Sequence, residues 1–109
     1  MLIKFLVQGS SNSPYEVTFI VEGKNLNAFC TCPAGEKNQS CKHRMAILRG
    51  ETDAVVSANK DEASIVRSWL AGSDIELAIH DLAEAEHDFE EARKKRDRAK
   101  KALVKAMHH

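Results

Sequence analysis

The spacing of apolar residues changes along the chain, and each change marks an element. Residues 2–7 (Leu-Ile-Lys-Phe-Leu-Val) read as a β-strand, ended by the turn formers Gly9, Ser10, Ser11, Asn12, Ser13 and Pro14. From Tyr15 to Glu22 the period is two. Tyr15, Val17, Phe19 and Val21 share one face, Glu16, Thr18 and Glu22 share the other, and Ile20 breaks the alternation. Gly23 permits a tight return, after which residues 25–32 place Leu26, Ala28, Cys30 and Cys32 on one side. The pattern predicts a three-stranded antiparallel meander with one solvated face.

Helical spacing follows. Ser40 is placed to cap a short helix over residues 41–49, and Gly50 stands where a left-handed C-cap belongs. A second helix over residues 61–71 presents Ile65, Val66, Trp69 and Leu70 before Gly72 stops it. The last begins at Ser73, which with Glu76 has capping-box spacing, and meets no Pro or Gly up to Met107. At 1.5 Å per residue it is about 50 Å long, more than a chain of this size is wide, so part of it should project or find a partner.

The predicted fold class is α+β: a small antiparallel β-meander with a metal knuckle and a short helix, then a helix and a long coiled-coil-like helix. Three segments are expected. Residues 1–50 form the sheet and metal module, 51–73 a connecting helical segment, and 74–109 a charged amphipathic helix for oligomerisation or partner binding. No internal repeat is present.

Composition narrows the function classes. The 109 residues are 43% hydrophobic and 29% charged, as in soluble globular proteins. Sixteen Lys and Arg balance sixteen Asp and Glu, so any grip on nucleic acid must be local. The charge is nevertheless segregated: residues 74–91 hold eight acidic side chains and no Lys or Arg, whereas residues 93–105 hold eight basic ones against Asp97 alone. No run is long enough for a signal h-region or a membrane span, and three cysteines cannot pair completely, so a reducing, cytoplasmic location is expected and no membrane partner. His108 and His109 stand where expression tags are placed and are left out of the metal argument.

The chemistry lies in Cys30-x-Cys32, eight intervening residues, then Cys41-x-His43. These four soft or borderline ligands are the number and kind that a closed structural zinc site takes. Residues two apart on a strand share a face, so Cys30 and Cys32 could offer both thiolates to one ion while residues 33–40 bring the second pair back. Residues two apart in a helix diverge, which places Cys41 at or before the first turn and His43 just inside it. Two other readings use the same residues: a redox Cys-x-Cys pair, and a Cys41–His43 nucleophilic pair, although no orienting third group is legible nearby.

Cys-x-Cys-Pro, a variable loop, then Cys-Lys-His and an apolar helix (Met45, Ala46, Ile47, Leu48) resembles the SWIM zinc finger over roughly residues 26–50. The resemblance implies one Zn2+ held by Cys30, Cys32, Cys41 and His43 in a β-then-α module that binds DNA or protein. SWIM domains occur in bacterial helicase-like ATPases, Mutator-type transposases, some kinases and ubiquitin ligases, and proteins that assist recombination. No such catalytic domain accompanies the motif in this sequence.

The long helix carries a second signal. Heptads counted from Ile75 give Ile75, Ala78, Leu82, Ala85, Phe89, Ala92, Arg96, Ala99, Leu103 and Ala106 at the a and d positions, all apolar except Arg96. Asp81, Glu86 and Asp88 flank the first half of this seam, and Arg93, Lys95 and Lys100 the second. Parallel pairing would therefore oppose like charges, and an antiparallel homodimer centred near Ala92 is predicted, with Glu86 near the partner's Lys100. A plainer expectation packs residues 75–89 onto Trp69, Val66 and the Met45 to Leu48 helix. The basic end is then a solvated extension laced by Glu90–Lys94 and Glu91–Lys95.

The leading functional expectation is an adaptor or accessory protein with no catalytic residues, since paired carboxylates, a phosphate-binding glycine loop and an open metal position are not legible. The alternative is DNA binding in recombination, transposition or transcription, through Lys37, Lys42, Arg44 and Arg49 around the metal loop, joined by the basic stretch from Arg93 to Lys105.

Overall fold

The computed structural model describes residues 1–108; His109 lies outside them. The order is β1 (Leu2–Val7), β2 (Tyr15–Glu22), β3 (Asn25–Cys30), α1 (Pro33–Glu36), α2 (Lys42–Leu48), a 3-10 turn (Lys60–Glu62), α3 (Ala63–Leu70) and α4 (Asp74–Met107). The α+β class holds. No described helix is long and apolar enough to cross a membrane. Two compact units result, Met1–Glu76 and a second beginning at Leu77.

The sheet is an antiparallel meander in the order β1-β2-β3, with Phe5 opposite Val17 and Val17 opposite Cys30. Because side chains alternate along each strand, this register gathers Phe5, Val7, Val17, Phe19, Leu26 and Cys30 on one face, all buried. Phe5 and Phe19 meet edge to face at 6.1 Å. Ile47 of α2 and Val66 of α3 are as fully buried as the two phenylalanines, so both helices contribute to the same core. Each such side chain contributes on the order of 1.5–3 kcal/mol of burial free energy. Ile20, the break in the alternation, lies on the other face opposite Leu2, which is exposed.

Both sheet edges are covered. Residues 54–59 run along β1: Val56 N–H donates to Leu6 O, Gln8 N–H to Ala54 O, and the Asn59 amide to Lys4 O. On β3, Leu26 N–H donates to the Asp74 carboxylate at 3.1 Å and Ala28 O accepts from the Arg44 guanidinium, also at 3.1 Å. Unpaired strand edges recruit other chains, and here few such groups remain open.

Several expected boundaries move. β3 ends at Cys30, not Cys32, and α1 occupies part of what reads as a loop. Cys41, with extended backbone, is the residue before α2, so Ser40 is not its cap. The second helix is split into the 3-10 turn and α3, and its Ile65 is exposed while Ala63 and Val66 are buried. α4 begins as expected: Glu76 N–H donates to the Ser73 hydroxyl, and the Glu76 carboxylate accepts from Gly72 N–H.

In α4 the apolar seam is open, with Leu82 52%, Phe89 73% and Leu103 57% exposed. The ion pairs of the basic end differ from the expected ones. Arg93 reaches both Glu90 and Asp97, because a planar guanidinium fork spans three residues back and four forward at once, and Lys94 reaches Glu91.

Candidate metal centre

Cys30 closes β3, Cys32 begins α1, and Cys41 and His43 flank the start of α2, so three element ends converge on one point. One ligand atom from each of the four residues lies within 4.8 Å of all the others, and the three cysteines are buried and unpaired as disulfides. Cys30 Sγ is 3.8 Å from His43 Nδ1. Two ligands of one tetrahedral zinc, with bonds of about 2.3 Å to sulfur and about 2.0 Å to nitrogen, sit roughly 3.6 Å apart, so the spacing suits the ion.

The thiols are prepared for charge. Each sulfur has an N–H directed at it: Cys32 N–H to Cys30 Sγ at 3.5 Å, Gly35 N–H to Cys32 Sγ at 3.3 Å, and Arg44 Nε–H to Cys41 Sγ at 3.2 Å. Three thiolates on one Zn2+ leave a net charge of about −1, which the Arg44 guanidinium offsets. Without metal the thiols respond differently. Burial pushes the Cys30 thiol up to about 12. Burial also raises Cys41, but hydrogen bonds from the Arg44 amide and guanidinium, with the guanidinium charge, outweigh it and hold Cys41 below the ordinary thiol value. Burial, and then the charge of Lys42, lower His43, which keeps its imidazole in the neutral form that binds metal.

His43 Nε2 is buried and meets no hydrogen-bond partner. Zinc on Nδ1, the nitrogen that faces Cys30 Sγ, would leave Nε2 without a partner. The ring lies against Tyr15, with centroids 5.1 Å apart. Gly9 completes the wall: a Cβ there would come within 2.5 Å of the Tyr15 ring and 3.0 Å of Nε2. The donor set, its spacing and its burial therefore fit one structural zinc, with no vacant ligand position.

The mechanical reason for the first pair differs from the sequence expectation. Cys32 is not beside Cys30 on a strand; it is the N-cap of α1, and its sulfur accepts from Gly35 N–H in the role usually taken by a Ser or Asp oxygen. Gly35 is needed because a side chain there would put Cβ 2.3 Å from Cys30 O. Sequence reasoning missed Gly9, Tyr15 and Gly35; the only signal was a glycine inside the short Cys-Pro-Ala-Gly turn.

The four basic residues singled out for nucleic acid are placed unequally. Lys37, the C-cap of α1, and Lys42, the first residue of α2, are exposed. Arg49, the C-cap of α2, is 3.7 Å from Glu51. Arg44 points inward, bonded to Cys41 Sγ, Ala28 O and Gln39 O, so it braces the metal site. The dimer-seam residues Ile75, Ala78, Leu82, Ala85, Phe89, Ala92, Ala99 and Leu103 all lie on α4, away from the metal ligands in sequence.

No curated protein and no solved structure matches the chain. Residues 5–49 match the family model described as SWIM zinc finger, a span that takes in the second half of β1, then β2, β3, α1, α2 and all four ligands. Residues 5–49 are thus a SWIM zinc finger, with Cys30, Cys32, Cys41 and His43 as its zinc-binding set.

Proposed function

We propose that this chain is a non-catalytic zinc-dependent interaction module, an adaptor that self-associates through α4 and offers its zinc finger to a partner. Closure of the metal site carries the non-catalytic part. Four protein ligands already make up the complement of a structural zinc, each thiolate has its own N–H donor, and the cysteines are buried, so a substrate has nowhere to bind the ion. Self-association is supported by the exposed seam of α4, since a contiguous apolar stripe on a charged helix is stabilised by a matching stripe. A reducing, cytoplasmic setting suits three thiols kept free for metal.

Native mass spectrometry of the full chain, with and without chelator, tests both parts together. The expected particle is a dimer with one zinc per chain. A zinc-loaded monomer at high micromolar concentration would remove the self-association part, and a metal-free chain that keeps its fold would remove the zinc dependence.

DNA binding is the second reading, favoured by Lys37 and Lys42, which stand exposed beside the site and pair with no acidic group among the described residues. Fluorescence anisotropy with a duplex across a salt series separates the two. Phosphate contacts predict affinity that falls steeply with salt and drops further in Lys37→Ala and Lys42→Ala variants.

A further inference from the structure

We infer that two copies of α4 pair antiparallel and end to end, in the one register that places Phe89 over the partner's Ala92 and Asp88 beside the partner's Lys95. This deepens the self-association reading and rests on it.

The helix is unbroken from Asp74 to Met107, 34 residues or about 51 Å at 1.5 Å per residue. Aligned end to end and antiparallel, Ile75 falls opposite the partner's Ala106, Ala78 opposite the partner's Leu103, and Leu82 opposite the partner's Ala99. Inward from these, Ala85 meets the partner's Arg96 and Phe89 meets the partner's Ala92. Every layer then sets one long side chain over one alanine, which keeps the interhelical distance constant along the whole seam and buries Leu82, Phe89 and Leu103, all more than half exposed in the single chain. The one polar seam residue, Arg96, falls within the partner's acidic half.

Charge selects this register over its neighbours. In an antiparallel pair the residues flanking the seam face their own kind, e opposite e and g opposite g. End to end, Asp88 lies beside the partner's Lys95 and Glu86 beside the partner's Arg93, and two-fold symmetry repeats both contacts. A slip of one heptad in one direction sets Asp88 against the partner's Asp88 and Glu86 against the partner's Glu86. A slip in the other direction, the one that would join Glu86 to the partner's Lys100, sets Arg93 against the partner's Arg93 and Lys95 against the partner's Lys95. Both slips also strip end layers of their apolar partners. Arg93 now bonds Glu90 and Asp97 of its own helix, but these exposed pairs are weak, so re-aiming its fork costs little.

The test uses the zinc-loaded full chain, mixed as unlabelled and 15N-labelled protein, joined by a zero-length carbodiimide and read by peptide mass spectrometry, with native mass spectrometry in parallel. The expected product is a mixed-isotope Asp88–Lys95 link. These residues are seven apart in one helix, about 10 Å at 1.5 Å per residue, and the mixed-isotope label is what marks the link as one between chains. A dimer yielding a Glu86–Lys100 link, or no Asp88–Lys95 link, overturns the register while leaving self-association standing; absence of any dimer overturns self-association itself. As a second measurement, Glu86→Lys with Asp88→Lys, and Arg93→Glu with Lys95→Glu, should each weaken self-association by roughly tenfold or more. Mixing the two variants should restore it as a heterodimer, and failure of the mixture to recover would count against the pairing.

Discussion

Arg44→Met is the most direct probe of how the zinc site is held, because Arg44 was legible as a phosphate contact and the structure gives it a different task. The substitution keeps an unbranched, helix-compatible side chain on α2 but removes every donor. Three bonds go: Nε–H to Cys41 Sγ at 3.2 Å, a guanidinium N–H to Ala28 O at 3.1 Å, and one to Gln39 O. Ala28 O opens onto a shallow cleft of about 270 Å³ lined by Leu26, Ser40 and Met45 among others, so water can replace the lost donor there at small cost. Cys41 lines the same cleft but is only 6% exposed, so water replaces the donor to its thiolate less readily. Loss of an outer hydrogen bond to a metal ligand typically weakens binding 10–100-fold, which is about 1.4–2.7 kcal/mol, and the lost positive charge beside a site of net charge near −1 acts in the same direction. Competition with a chromophoric chelator at fixed pH reads the zinc affinity, and Arg44→Lys, which keeps the charge but not the fork, should fall between the two. A Met variant whose zinc affinity stays within twofold of the parent would refute the idea that this bond supports the site.

Chelation should unfold the sheet and zinc module, because structural zinc supplies on the order of 10 kcal/mol, comparable to the stability of a small domain; far-UV circular dichroism should lose strand signal on adding chelator and regain it with zinc. Gly35→Ala should lower both zinc affinity and melting temperature, since the new Cβ would sit 2.3 Å from Cys30 O, whereas Gly23→Ala, in open space at φ +63, should bring only turn strain and leave zinc affinity unchanged. The metal-free chain should be most stable at mildly alkaline pH. His43, lowered from 6.5, contributes stability above that value that is lost as pH falls through its depressed folded value; Cys41, also lowered, adds stability as pH rises towards 9; Cys30, raised from 9.0 to about 12, contributes stability that is lost as pH climbs from 9 to 12. Circular dichroism of chelator-treated protein refolded with a stabilising osmolyte at several pH values checks the order, and a flat profile from pH 5 to 10 would contradict it.

The ligand set was legible because metal chemistry restricts residue type so strongly that four residues in two short pairs leave few other readings. The strands were legible for a similar reason: the period of two at Val17 and Phe19 has one inward assignment, and the register carries it to Phe5 and Cys30. What the sequence concealed depends on contacts between distant segments. Residues 54–59 contain Val55 and Val56, too short a run to announce a strand, yet they cover the β1 edge. Arg44 sits in a basic cluster whose other members are exposed, and nothing in the order Cys-Lys-His-Arg says which side chain turns inward. Gly9 reads as one more turn former, although its lack of a side chain makes room for the Tyr15 ring and His43.

The metal site and the sheet edge share residues, which ties zinc binding to how that edge is covered. Ala28 O on β3 is taken by Arg44, whose Nε–H also holds a zinc-binding sulfur. Farther along the same strand, Cys30 O is covered by α1, whose start is fixed by the Cys32 sulfur. Loss of zinc is expected to loosen both restraints as the module unfolds, and an uncovered strand edge pairs with other strands regardless of their sequence. Leu26 N–H, held by Asp74, is the edge group that does not depend on the metal. With both restraints in place, this stretch of the β3 edge is covered. Zinc is therefore expected to do more than stabilise a small core: by holding these two restraints it keeps a strand edge covered.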